Sequence, residues 1–206
     1  MNDSTYHKTL LGVGIAALVV SGVMALDKFT WVLEVTPAVV GWIILIATYK
    51  KFKFSSLVYT LILLHSFILM YGGIYTYAET PLGYWMSEVF GWTRNNYDKI
   101  GHFAQGFVPA LLAREVLLRL QVINEKRKKW LTWIIVSLIL ASAAFYEFVE
   151  WWVSLASGSA GDSFLGTQGY VWDTQTDMFL ALVGAVLALV LFSRFQDRFL
   201  NSLWGK

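Results

Sequence analysis

Apolar residues along this chain come in long blocks rather than in alternation or in narrow stripes. Six windows stand out: Leu10 to Leu26, Trp31 to Tyr49, Ser55 to Tyr77, His102 to Leu120, Trp130 to Val153 and Met178 to Phe195. Each is close to the roughly 20 residues a helix needs to cross the hydrocarbon core of a bilayer. A helix also satisfies its own backbone hydrogen bonds where no water can do so. The pattern therefore predicts an all-α, polytopic bundle of six transmembrane helices, a single integral membrane domain over residues 1–206.

The first window follows the single basic residue Lys8 and contains Gly12, Gly14 and Gly22, which raises the alternative of a cleaved signal peptide. No small-x-small site stands before a polar mature start, and the chain runs directly into another span, so the window reads as a retained first helix. Composition agrees: 57% hydrophobic and 15% charged residues do not suit a soluble domain. With no cysteine there is neither a disulfide framework nor a thiolate ligand, and a metal would need oxygen and imidazole donors.

Charge sets an orientation. One side of the six-span layout would hold Lys8, Lys50, Lys51, Lys53, Arg119, the run Lys126, Arg127, Lys128, Lys129, and Arg194, Arg198 and Lys206, whereas the other would hold Lys28, Arg94 and Lys99. The positive-inside rule then makes both termini cytoplasmic, as an even number of spans requires. The formal charge of +2 describes this asymmetry; the basic loops suit anionic lipid heads, and nothing points to nucleic acid. Trp31, Tyr49, Tyr77, Trp130, Trp151 and Trp152 stand at span ends, where aromatic residues anchor helices in the interface. The expected location is the bacterial inner membrane, multi-pass, with membrane lipids as partners.

Acidic residues follow the opposite bias. Asp98, Glu147, Glu150, Asp162, Asp173 and Asp177 fall toward the outer side, at the start of the fourth span, the end of the fifth and the start of the sixth. Asp98 and His102 are i and i+4, with Gln105 a turn further along; Glu147 and Glu150 are i and i+3; Asp173 and Asp177 are i and i+4, so each pair leaves its own helix in one direction. An ionisable group costs roughly 2.5–3.5 kcal/mol at the centre of a span and less near the ends. Lys99 and Arg94 are too few to neutralise these acids, which favours a proton or a metal as the missing partner. The bland alternative is a set of solvated helix ends with Asp173 or Asp177 as an N-cap. As ligands, Asp98, His102, Glu147, Glu150, Asp173 and Asp177 would suit magnesium, manganese, calcium or zinc. His102, Asp98 and Glu150 are the candidates for acid and base work.

Three other charged or titratable positions have structural readings. His65, in the middle of the third span, reads as a neutral histidine bonded to a neighbouring helix. Arg114 is expected to snorkel toward the cytoplasm, and Glu115, its sequential neighbour, points elsewhere. The segment from Ser154 to Trp172 interleaves Gly158, Gly161, Gly166 and Gly169 with Phe164, Leu165, Tyr170 and Trp172, which predicts a folded loop that dips back over the helix ends.

The stretches HSFILMYGGIYTYAETPLGYW, RNNYDKIGHFAQGFVPALLAREVLLR, AFYEFVEWW and DSFLGTQGYVWDTQTDM resemble the bacterial inner-membrane family typified by YjdF, a domain of unknown function. More remotely, Asp-Lys-x-x-His on one helix, a glutamate pair on the next and an aspartate pair opening the last are similar to VanZ-like membrane proteins. The family resemblance implies a multi-span inner-membrane protein and little chemistry. This sequence departs from the family pattern at Ile74 and Asn96, where histidine is expected, at Tyr170, where aspartate is expected, and at Thr176, where tryptophan is expected. The leading functional expectation is an outward-facing carboxylate and histidine site doing metal-assisted or acid/base chemistry on a lipid or cell-envelope headgroup. The alternatives are a proton- or cation-coupled transporter and a structural or sensory protein whose acids only stabilise it.

Overall fold

A computed structural model describes residues 3–123, 128–157, 164 and 167–203. Asp27 opens α2 (Lys28–Thr48) as an N-cap, its carboxylate accepting from the backbone N–H of Phe29 and Thr30, while Lys28 Nζ donates to the carbonyls of Gly22, Val23 and Ala25 that end α1 (Asp3–Met24). Ser55 caps α3 (Ser56–Ile74) in the same way. Thr80 caps the short α4 (Pro81–Phe90), with proline at its first position, where no N–H is needed. Then follow α5 (Tyr97–Arg119), α6 (Lys128–Ser157) and α7 (Asp173–Leu187), which runs through a π-helical stretch, Ala188–Phe192, into α8 (Ser193–Leu203).

Among the described residues, five helical stretches are long and apolar enough to cross a membrane: α1, α2, α3, α6 from Lys129 to Ser157, and the continuous α7–α8 from Asp173 to Asn201. The sixth window falls in α5, whose 23 residues reach about 34 Å at 1.5 Å each. Length is sufficient, but Asp98, Lys99, Arg114, Glu115 and Arg119 make α5 too polar to qualify by composition. Packing explains how such a helix is accommodated. It is flanked by α3, α6 and α7, so its polar groups meet protein. The outward faces of the apolar helices carry exposed side chains such as Val19, Val23, Ile43, Trp133, Leu155 and Val190, as lipid-facing surfaces do.

The closest pairing is α5 on α7, and two glycines permit it. A Cβ at Gly106 would collide with the backbone carbonyl of Ala181, and one at Gly184 with the carbonyl of Phe103. Small residues at a membrane helix interface let backbones approach and gain van der Waals contact. Below this crossing lies a core of Ala110, Leu111, Leu131, Ile135, Ile139, Ala185, Ala188 and Leu189.

The end of the bundle that gathers the basic residues is tied by a satisfied polar network. Glu115, fully buried, accepts from Ser55 N (2.7 Å), Ser55 Oγ (2.6 Å) and Arg119 Nη1 (2.9 Å). Arg119 also donates to Lys53 O and lies 4.0 Å over the Phe52 ring. Arg114 is largely buried rather than extended into water: it donates to Gln196 and pairs with Asp197 of α8 at 2.7 Å. His65 makes no hydrogen bond among the described residues, so the tie expected of it is not there. The residue is half-buried.

The helix α4 has no counterpart among the six windows. It is too short to span, and its Leu82, Tyr84, Trp85, Val89 and Phe90 are exposed. A Thr-Pro pair opening ten mostly apolar residues was the available signal.

Candidate functional site

Three helices converge at the acidic end. The close α5–α7 crossing sets Asp98, Lys99 and His102 of α5 against Asp173 and Asp177 of α7, and α6 brings Glu147 alongside. The site has two halves with different electrostatics.

The first half is a closed ion-pair network. Arg94, in the turn before α5, donates from Nη2 to Asp98 Oδ2 and Asp173 Oδ1, each at 2.8 Å. Lys99 Nζ reaches Asp173 Oδ1 at 2.8 Å, Asp177 Oδ1 at 2.7 Å and Asp98 Oδ2 at 3.2 Å. These side chains are mostly buried, so their attraction is weakly screened. Asp173 lies in the first turn of α7 rather than at its N-cap, which is Trp172 with no side-chain cap bond; its carboxylate is spent on Arg94 and Lys99. Tyr170 stacks over the two cations, 5.1 Å from Arg94 Cζ and 5.9 Å from Lys99 Nζ.

The second half is open. His102 Nδ1 is 3.0 Å from Gln105 Oε1, which can only accept, so Nδ1 carries the proton and Nε2 keeps its lone pair in the neutral ring. Nε2 lies 3.8 Å from Asp177 Oδ2, and Glu147 Oε1 lies 4.0 Å from the other ring nitrogen. Glu147 is 8% exposed, and its Oε1 has no hydrogen-bond partner among the described residues. An orphaned buried carboxylate oxygen is costly and calls for an explanation. One donor atom from each of His102, Glu147 and Asp177 falls within 4.8 Å of the others, and the same holds for Asp98, Asp173 and Asp177. In the second trio Arg94 and Lys99 already sit where a cation would. Glu150, a turn beyond Glu147, belongs to neither trio.

The connection into α7 bears on the mouth of the site. The segment expected to form a folded loop, Ser154 to Trp172, divides in the structure: Ser154 to Ser157 complete α6, whereas Gly158, Gly161, Asp162, Leu165 and Gly166 lie outside the described residues. Phe164 is buried, and Gln168 bonds to both backbone groups of Asn95. Arg94 Nη1 donates to Thr167 O at 2.7 Å. The Tyr170 ring lies over the cations yet is itself 41% exposed, and Trp172 is 61% exposed. A shallow depression of about 470 Å³, lined by residues including Thr167, Tyr170, Asp173 and Thr174, opens beside the network.

Glu34 of α2, buried at 6% exposure, went unremarked in the sequence and lies close enough to interact electrostatically with Asp98 and Glu150. A lone glutamate inside an apolar window was the signal, since an intramembrane ionisable group is a functional candidate by default.

Known proteins resemble the chain over nearly its whole length. It is 48% identical over 198 residues to a protein of Escherichia coli (strain K12) named "Inner membrane protein YjdF", covering 96% of this chain and 91% of that one. The bacterial inner-membrane location expected from the charge pattern is thus that of a close relative. No solved structure matches. The remoter likeness to VanZ-like proteins finds no support in these comparisons. Residues 6–198 match the family described as "Predicted membrane protein (DUF2238)", and the chain belongs to that family.

Proposed function

We propose that the open half of the acidic site binds one divalent cation through His102 Nε2, Glu147 and Asp177, on the non-cytoplasmic face, and uses it on a lipid or cell-envelope headgroup. The observation that carries this reading is the buried Glu147 Oε1, without a hydrogen-bond partner among the described residues and 4.0 Å from the His102 ring, whose Nε2 faces Asp177 at 3.8 Å. Three protein donors leave coordination positions for water and for a substrate oxygen, the arrangement that catalytic metal sites use. Magnesium, manganese, calcium and zinc all accept such donors. The cation would polarise a phosphoryl or carbonyl oxygen, and Glu150, a turn beyond Glu147 on α6, would act as base. Arg94, Lys99, Asp98 and Asp173 would hold α5 and α7 in register beneath it. Both termini are cytoplasmic in this reading, with α5 as a sixth span, which the gathering of basic residues at the opposite end supports.

A purely structural role suits the closed half, where Asp98, Asp173 and Asp177 are each paired with Arg94 or Lys99. Elemental analysis separates the two. Detergent-purified protein dialysed against manganese or zinc is expected to retain about one equivalent, and Glu147→Gln and His102→Ala are expected to lose it while still folded. No metal in the parent protein, or full retention in both variants, would sink the proposal. With binding in hand, release of inorganic phosphate from phosphatidic acid in mixed micelles tests headgroup chemistry separately.

A further inference from the structure

At the basic end, α1 and α2 both rest on α3 while their backbones stay apart. The gap is bridged by two tryptophans: Trp31 lies against Gly22 with Nε1 on Ser21 Oγ, and Trp42 lies against Gly14 with Nε1 on Ser66 Oγ. Between Trp42 and the basic end the gap stays open as a slot of about 270 Å³. Leu10 and Leu11 form one wall, Leu45 and Ile46 the other, and Ile62 and Leu63 the floor.

We propose that this slot holds an acyl chain of an anionic phospholipid from the leaflet at the basic end. Size and lining suit a chain rather than a compact metabolite. Small-molecule pockets run to about 300–1,000 Å³ with placed polar groups, whereas this slot is somewhat smaller and nearly all apolar. In a bilayer, an apolar slot open at the side fills with the apolar groups already beside it. The headgroup is selected at the mouth. Lys8 and Lys50 stand there, exposed and in no ion pair among the described residues, whereas neighbouring Lys53 is paired with Asp3. The mouth is held in shape because His7 is bonded on both ring nitrogens, to Tyr49 Oη at 3.0 Å and Ser56 Oγ at 2.9 Å, and packs on Tyr59 at 4.4 Å. Two uncompensated ammonium groups at the rim of an apolar slot match the charge and shape of an anionic lipid.

Full-length protein, delipidated in detergent and offered equal amounts of dioleoyl phosphatidylglycerol and dioleoyl phosphatidylcholine, is expected to retain one phosphatidylglycerol by native mass spectrometry. Removing both charges with Lys8→Gln and Lys50→Gln should reduce the preference by roughly thirty-fold, from the usual worth of two lysines near an anionic surface. Leu11→Trp fills the slot and should lose both lipids, and Ile46→Trp fills it from α2 should the first variant fail to fold. Equal retention of the two lipids by the parent protein, an unchanged preference in the lysine variant, or undiminished phosphatidylglycerol in a folded slot-filling variant would each overturn the assignment.

Discussion

The two ends of the bundle bury charge in different ways. At the basic end, Glu115 accepts from three donors and Arg114 closes on Gln196 and Asp197. At the acidic end, Arg94 and Lys99 satisfy Asp98 and Asp173, yet one Glu147 oxygen has no partner among the described residues. A fold can satisfy a buried glutamate completely, as Glu115 demonstrates in this same chain. The contrast at Glu147 is what the proposed cation site rests on.

The largest effect should come from the satisfied end. Replacing Glu115 by alanine strands Ser55 and Arg119, and removing one member of a buried charged pair costs about 3–5 kcal/mol. Thermal unfolding in detergent should show it as a steep loss of folded protein; a loss below ~1 kcal/mol would mean water relieves the stranded groups. Next is the response of the open end to cations. Parent protein at 100 times its dissociation constant for manganese should gain about 2.7 kcal/mol, and Glu147→Gln should gain nothing, read as the shift in unfolding midpoint on adding the ion. Equal shifts in both would erase the contrast between the ends.

Between the two ends, Gly106→Ala pushes a methyl into the Ala181 carbonyl and should cost about 1–3 kcal/mol, the usual range for overpacking. Because the crossing aligns both halves of the site, the variant should also weaken cation binding, measured by elemental analysis. The smallest effect belongs to the half-buried cap Asp27, where alanine should cost about 1 kcal/mol. The Thr30 hydroxyl, with the Phe29 and Thr30 amides, holds the Asp27 carboxyl below its ordinary value. Its contribution is present above the unfolded carboxyl value near pH ~4 and is lost as pH falls through the depressed folded value. Unfolding midpoints of parent and Asp27→Ala should therefore converge on acidification, and a gap unchanged at low pH would refute the capping role.

Much of this architecture was legible in hydropathy alone. Apolar runs report burial in lipid, so α1, α2, α3, α6 and α7–α8 stand out, while α5, surrounded by protein, carries charges that lower its signal. The juxtaposition of Asp98, His102, Glu147, Asp173 and Asp177 followed from helical spacing and shared membrane depth. Their division into closed and open halves did not. That division depends on where two flexible side chains, Arg94 and Lys99, come to rest, and on the α5–α7 approach through Gly106 and Gly184, which no periodicity encodes. Glu34 was hidden because a single acid barely lowers the average of an apolar window, and α4 because it runs along an exposed surface and crosses nothing.

The π-helical stretch Ala188–Phe192 acts as a phase corrector. Asp177 and Gln196 are nineteen positions apart, which in an unbroken α-helix would point them about 100° away from each other. A π-bulge absorbs one residue without advancing the α-helical face, so eighteen effective steps bring the two back to the same side. Both then meet α5, Asp177 at Lys99 and Gln196 at Arg114 and Leu111 O. One surplus residue in the middle of the last span thus lets a single continuous helix serve both ends of the bundle at once.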